Sequence, residues 1–196
     1  MLVSNALDDQ RIIDSLNNHG VGVIPTDTVY GLVCLATDKQ AVSRLYKTKH
    51  RYHKPGTVIA ASLDQLVELG LKRRYLKPVA HYWPGPISII IPSYELVYIH
   101  QGVGSIAVRI PSDSAVTTLL QESGPLLTTS ANNPAEPPAT TIRQAQDYFG
   151  DAIDFYVDGG DISGRQSSTI IRIVDDAVEV LRQGAVIIKE NGDIKK

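Results

Sequence analysis

Val21-Gly22-Val23-Ile24-Pro25-Thr26-Asp27-Thr28-Val29-Tyr30-Gly31-Leu32 joins an apolar run to a polar cluster across a proline. The run over 21–24 reads as a short buried strand, and Pro25, which has no backbone N–H to donate, ends it. Upstream, Asp8 or Asp9 is placed to cap a helix that carries Ile12, Ile13 and Leu16 on one face and stops at Gly20. The alternation continues outward. A helix is predicted over about residues 39–48 with Val42, Leu45 and Tyr46 inward, then a strand over 57–61. Trp83-Pro84-Gly85-Pro86 is a rigid turn feeding a strand over 87–91, and another strand covers 105–110 before a helix capped by Ser112 or Asp113. Leu126-Leu127-Thr128 reads as a strand running into a Ser, Asn and Pro loop that extends to Ala139. Thr141-Ile142-Arg143-Gln144 has the capping-box pattern, and strands follow over 155–157, 169–174 and 177–181. The expectation is an α/β fold, a twisted mixed parallel/antiparallel sheet flanked by helices.

The chain has 196 residues, 43% hydrophobic and 20% charged, enough for one well-buried core and hence a single domain over 1–196. A net charge of −2 excludes a surface built throughout to coat a nucleic acid. Charge is nevertheless uneven. No acid occurs between Lys39 and Leu63, where Arg44, Lys47, Lys49, Arg51 and Lys54 gather, and Lys72, Arg73, Arg74 and Lys77 form a second basic group. Solvated helix faces account for both when they are taken alone. No run approaches the about 18 apolar residues of a membrane span, and Met1 to Asp9 lacks an apolar leader segment, so a soluble cytoplasmic protein is expected. Cys34 is the only cysteine, which excludes an intrachain disulfide and a thiolate zinc site from one chain. The five histidines are scattered, and His50 and His53 read as surface polar residues rather than a metal site.

Several chemistries fall away. No Gly-x-x-x-x-Gly-Lys-Ser/Thr cradle and no Gly-x-Ser-x-Gly elbow occur. Gly102-Val103-Gly104-Ser105-Ile106-Ala107 matches the dinucleotide glycine pattern but leads into an alternating strand rather than opening a helix, so it reads as a loop before that strand. Cys34, in an apolar run, reads as a packed core thiol. Asp8-Asp9 and Asp175-Asp176 read as a helix cap and a turn.

Four polar clusters sit where apolar strands or helices end, the places where binding groups gather. They are Pro25 to Leu32; Lys49-His50-Arg51; Thr128-Thr129-Ser130-Ala131-Asn132; and two strand arginines, Arg109 and Arg182. A tight turn with an Asx-type bond from Asp27 explains part of the first, and the helix dipole explains part of the second. Arg109 faces away from Ile106, Val108 and Ile110, and a strand arginine flanked by apolar residues calls for an anionic partner, whether ligand or internal carboxylate.

Together and in this order, these clusters resemble the threonylcarbamoyl-AMP synthase family. The matching segments are Pro25 to Leu32, Lys49 with Arg51, Trp83 to Pro86, Val108-Arg109-Ile110-Pro111, Ser130-Ala131-Asn132, Ser168-Thr169-Ile170 and Leu181-Arg182-Gln183-Gly184. They run from about Ile12 to Val186. The resemblance implies a single α/β domain around a deep, positively lined cavity, in the short form without an extra C-terminal domain. It implies formation of threonylcarbamoyl-adenylate and pyrophosphate from L-threonine, bicarbonate and ATP, with a separate transferase complex then modifying adenosine of tRNA. By similarity Lys49 and Arg51 are the catalytic pair. Lys49, Arg51, Ser130, Asn132 and Arg182 would hold ATP, and Thr28, Arg109, Thr128 and Ser168 would hold threonine. Mg2+ is expected with the triphosphate, since no dedicated carboxylate set is present.

The sequence departs from the family at Tyr52, where relatives often have proline, and at Lys54-Pro55-Gly56-Thr57, where they commonly read Asn-Pro-Leu. The strand over 58–61 also lacks a histidine that some relatives place at its end. These changes bear on amino-acid affinity. Two rivals share the fold: a carbamoyltransferase module of hydrogenase maturation, whose acylphosphatase-like and Cys-x-x-Cys companions are missing, and a noncatalytic module binding tRNA or double-stranded RNA through the basic segments.

Overall fold

The computed structural model describes residues 1–175, 177–189 and 191–195. In chain order the elements are β1 (Leu2–Ser4), α1 (Gln10–Asn17), β2 (Gly22–Ile24), β3 (Gly31–Leu35), α2 (Lys39–Thr48), β4 (Thr57–Ile59), α3 (Leu63–Glu68) and α4 (Arg73–Leu76). A 3₁₀ helix, Lys77–Tyr82, leads to β5 (Ile87–Pro92), α5 (Val97–His100), β6 (Ser105–Arg109), α6 (Ser114–Ser123) and β7 (Leu126–Ser130). Then come α7 (Ile142–Phe149), β8 (Phe155–Val157), β9 (Thr169–Val174) and β10 (Ala177–Arg182). The strands form one ten-stranded sheet in the order β1-β8-β2-β3-β7-β4-β6-β5-β9-β10. Pairing is mixed: β4 runs parallel to β6 and β5 to β9, whereas β7 is antiparallel to both β3 and β4.

Local chemistry sets the element ends. Asp9 caps α1 by accepting from the Arg11 N–H, Asp38 caps α2, and Asp113 caps α6. α1 stops at Asn17, short of the expected Gly20, because His19 turns left-handed (φ 61°) and the Gly20 N–H closes back on the Ser15 carbonyl. β4 stops at Ile59 rather than Ala61: the Ala61 N–H is taken by the Gln65 side chain and Ser62 caps α3. At α7 the Thr141 hydroxyl accepts from the Gln144 N–H, but the Gln144 amide oxygen accepts from the N–H of Thr140, one residue upstream of the expected box. The Gly102 to Gly104 segment is a loop before β6, as read from the sequence. Asp175 lies in the β9–β10 turn, and Asp176 is outside the described residues. Strand β3 was hidden in the sequence: its five residues are all buried, so they show no period-two alternation.

One sheet face is largely apolar, with Val23, Leu32, Cys34, Val58, Leu127, Val108 and Ile89 packed beneath α2, α3, α5 and α7. Cys34 is fully buried there, and desolvation pushes its thiol up from its ordinary value. The opposite face is divided. At one end Val33, Leu35, Ile59 and Leu126 pack against Ile12 and Leu16 of α1 and Val116, Leu119 and Leu120 of α6. Farther along the same strands the side chains become small or polar: Gly31 after Val33, Thr128 and Ser130 after Leu126, Thr57 beside Ile59. The period of two keeps these on the face that α1 and α6 leave uncovered.

Leu16 is fully buried in the α1–α6 cluster. Leu16→Ala is expected to destabilise the protein by about 2–5 kcal/mol, read as a lower urea midpoint with unchanged m-value.

Candidate active site

The uncovered half of that face is the floor of a cavity of about 160 Å³. Its floor is a cross-strand row, since Thr57 pairs with Thr128 on one side and Ala107 on the other, and Ala107 pairs with Ile90. Gly31 belongs to the wall because a Cβ there would meet the Thr128 hydroxyl at 2.5 Å. Thr28, Arg51, Arg109 and Arg182 line the space, with Thr128, Ser130 and Ser168. Lys49 and Asn132 stand one hydrogen bond behind: Ser130 Oγ donates to Asn132 Oδ1 at 2.7 Å, and Lys49 Nζ donates to both the side-chain and main-chain oxygens of Asn132. The structure thus brings all nine sequence-derived residues to one place from segments far apart in the chain.

Each cation is aimed by bonds at one end. Lys49 is the C-cap of α2; the His50 N–H closes on Lys47 O and the Arg51 N–H on Tyr46 O, with His50 left-handed at φ 49°. This reversal separates Lys49, which turns to Asn132, from Arg51, whose Nε and Nη2 donate to the carbonyls of Lys54 and Pro55. Arg182 donates from Nε and Nη2 to the Ser168 carbonyl and from Nη2 to the Ser168 hydroxyl. Arg109 pairs through Nη1 with Asp27, both side chains almost wholly buried (4% and 6% exposed). Asp27 therefore does not form the Asx-type turn expected for it. Its second oxygen instead accepts from the Ser112 N–H, tying the β2–β3 loop to the start of α6.

The rest of the first cluster is architecture. Thr26 makes the turn, its hydroxyl donating to Val29 O and accepting from the Thr28 N–H. Tyr30 is fully buried, and its hydroxyl donates to Gly160 O while accepting from the Gly159 N–H. Three hydroxyl-bearing lining residues are not among the site residues and polar clusters read from the sequence: Thr57, Ser88 and Ser167. Ser88 had a signal, a lone hydroxyl within the apolar run Ile87 to Ile91. Among the departures, Tyr52 is exposed, while Gly56 packs so tightly that a Cβ would meet Thr128 O at 2.7 Å.

Among the described residues no Asp or Glu lines the cavity, so its positive charge is uncompensated within that lining. Burial, and after it Arg51, lowers Lys49 to about 8. Burial also lowers Arg182, with Arg51 and Arg109 adding to the effect, and burial lowers Arg51. Like charges held together out of water are costly, and an anion in their midst relieves the cost.

The Sua5–YciO–YrdC family model, described as telomere recombination, matches residues 14–184. A threonylcarbamoyl-AMP synthase of Pyrococcus abyssi is 32% identical over 173 residues, 85% of this chain and 51% of that protein, so the chain spans about half its length. A threonylcarbamoyl-AMP synthase of Pseudomonas aeruginosa is 35% identical over 159 residues, covering 78% of this chain and 85% of the relative. The crystal structure of P. abyssi Sua5 complexed with L-threonine superposes with a TM-score of 0.85 at 27% identity, over 95% of this chain and 58% of that one.

Because Lys49 is lowered to about 8, its ammonium is lost as pH rises past that value and is retained below it. An anion stabilises the charged form, so sulfate affinity, measured calorimetrically, is expected to fall between pH 7 and 9. Lys49→Arg, charged throughout, is expected to flatten that dependence.

Proposed function

The chain belongs to the Sua5–YciO–YrdC family, and from that membership we propose that it is an L-threonylcarbamoyladenylate synthase, a nucleotidyltransferase acting on L-threonine, bicarbonate and ATP. The observation that carries this reading is the cavity lined by Arg51, Arg109 and Arg182 with no lining carboxylate among the described residues. Of the surface basic residues, Arg44, Lys72 and Arg73 have acidic partners in Asp154, Glu95 and Asp64. The convergence of three guanidiniums on one enclosed space favours small anions in the cavity over an RNA backbone on the outside.

In this mechanism the threonine amine and bicarbonate condense to an N-carboxylate with loss of water. A carboxylate oxygen then attacks the α-phosphorus of ATP, and the bond to the β-phosphate oxygen breaks, releasing pyrophosphate. Two anions must approach one another, so the barrier falls where fixed positive charge meets the charge that develops at phosphorus. Lys49 and Arg51 supply it, with Ser130, Asn132 and Arg182 completing the nucleotide site. Arg109 takes the threonine carboxylate, and Thr28, Thr128 and Ser168 take its other polar ends. Arg51 and Arg182 each keep an Nη1 beyond the bonds that orient them, ready for a phosphate oxygen without reorganisation. Magnesium enters as part of the MgATP substrate. The adenylate would pass to a threonylcarbamoyl transferase complex acting on tRNA.

Pyrophosphate release from ATP and threonine is expected to require bicarbonate. Arg51→Ala is expected to lower kcat/KM by on the order of 10²-fold with its circular dichroism unchanged. Bicarbonate-independent release, or salt-sensitive RNA binding without release, would contradict the proposal.

A further inference from the structure

The hydroxyls of Ser88 and Ser168 lie 2.9 Å apart in the cavity wall. Ser88 is wholly buried in β5, between Ile87 and Ile89, in a strand that has no packing use for a hydroxyl. A serine hydroxyl carries one hydrogen and two lone pairs. Arg182 Nη2 donates to Ser168 Oγ at 3.1 Å, so that oxygen is already an acceptor from a cation and is polarised to donate onward to Ser88. One hydroxyl hydrogen then lies between the two serines. The other, on Ser88, has no acceptor among the described residues.

A second unspent donor group lies beside it. Ile89 pairs with Val108, which sets Ser88 and Arg109 at neighbouring positions on the cavity face of adjacent strands. Arg109 uses Nη1 on Asp27, and its buried Nε has no partner among the described residues. Unpaired donors in a buried wall are costly unless a ligand completes them. A hydroxyl and a guanidinium side by side suit an acceptor with two oxygens. We infer that Ser88 is a substrate-binding residue whose hydroxyl donates to the carboxylate of the amino-acid substrate alongside Arg109. For the identity of that amino acid the inference rests on the synthase proposal. Asp27 is a positioning residue in this arrangement, holding the Arg109 fork in place.

The test is calorimetric binding of L-threonine and of L-threoninamide, which lacks the carboxylate, to the wild type, Ser88→Ala and Ser88→Thr, with ATP binding as a control. Ser88→Ala is expected to weaken threonine binding about ten- to a hundredfold, the range for a hydrogen bond to a charged group. It should leave ATP binding unchanged and weaken threoninamide binding less than threonine binding, because the carboxamide oxygen is a neutral and weaker acceptor, and Ser88→Thr should restore threonine affinity. Should the alanine variant melt early, Ser88→Cys, similar in shape and a far weaker donor, makes the same comparison. Unaltered threonine binding in Ser88→Ala, equal losses for threonine and threoninamide, or a loss confined to ATP would each overturn the inference. A wild type that binds no threonine would do so too. A wild type that binds threonine but releases no pyrophosphate would remove the synthase proposal and leave the carboxylate site standing.

Discussion

Arg51, Arg109 and Arg182 line one small space that has no lining carboxylate among the described residues, and Lys49 stands just behind them. Bringing such groups together out of water opposes folding, so the surrounding structure must hold them there. It does so with oriented acceptors. Arg51 leans on two loop carbonyls and Arg182 on the Ser168 carbonyl; Lys49 donates to Asn132, and Arg109 to Asp27. These bonds aim each cation without neutralising the cavity as a whole, because only Asp27 among these partners carries a negative charge. The result is a preorganised positive field, the condition under which electrostatic catalysis needs little reorganisation.

The sheet makes this arrangement possible by changing character along its strands. Where α1 and α6 cover it, Val33, Leu35, Ile59 and Leu126 form an apolar cluster; one step farther, Gly31, Thr57, Thr128 and Ser130 open the floor. Period-two geometry guarantees that both sets share a face, so packing against the helices fixes the register of the polar residues as well. The stability of one half and the chemistry of the other are set by the same strand pairing.

Much of this was legible in the amino-acid order. Strong amphipathic segments such as Lys39–Thr48 were readable to the residue because caps and periodicity agree. The cationic and hydroxyl clusters stood out because each sits where an apolar run ends. Strand β3 was not legible, since Gly31 to Leu35 is buried on both faces and carries no alternation. Nor was the Asp27–Arg109 pair, which joins the β2–β3 loop to the end of β6, 82 positions away; in the sequence alone a local turn explains the aspartate equally well. Ser88 was visible as a single polar residue in an apolar strand, but only the neighbouring strands show that it faces the cavity rather than the helices. The C-terminal turn of α2 hid its left-handed residue, because histidine, unlike glycine, does not announce that conformation.

In a synthase of this geometry the cavity is the seat of the triphosphate. The most direct measurement is a crystal structure with a non-hydrolysable ATP analogue and L-threonine. The phosphates are expected within hydrogen-bonding distance of Arg51, Arg182 and Lys49, with the amino-acid carboxylate beside Arg109. An analogue bound on the outer surface, with these cations still donating only to protein oxygens, would contradict it.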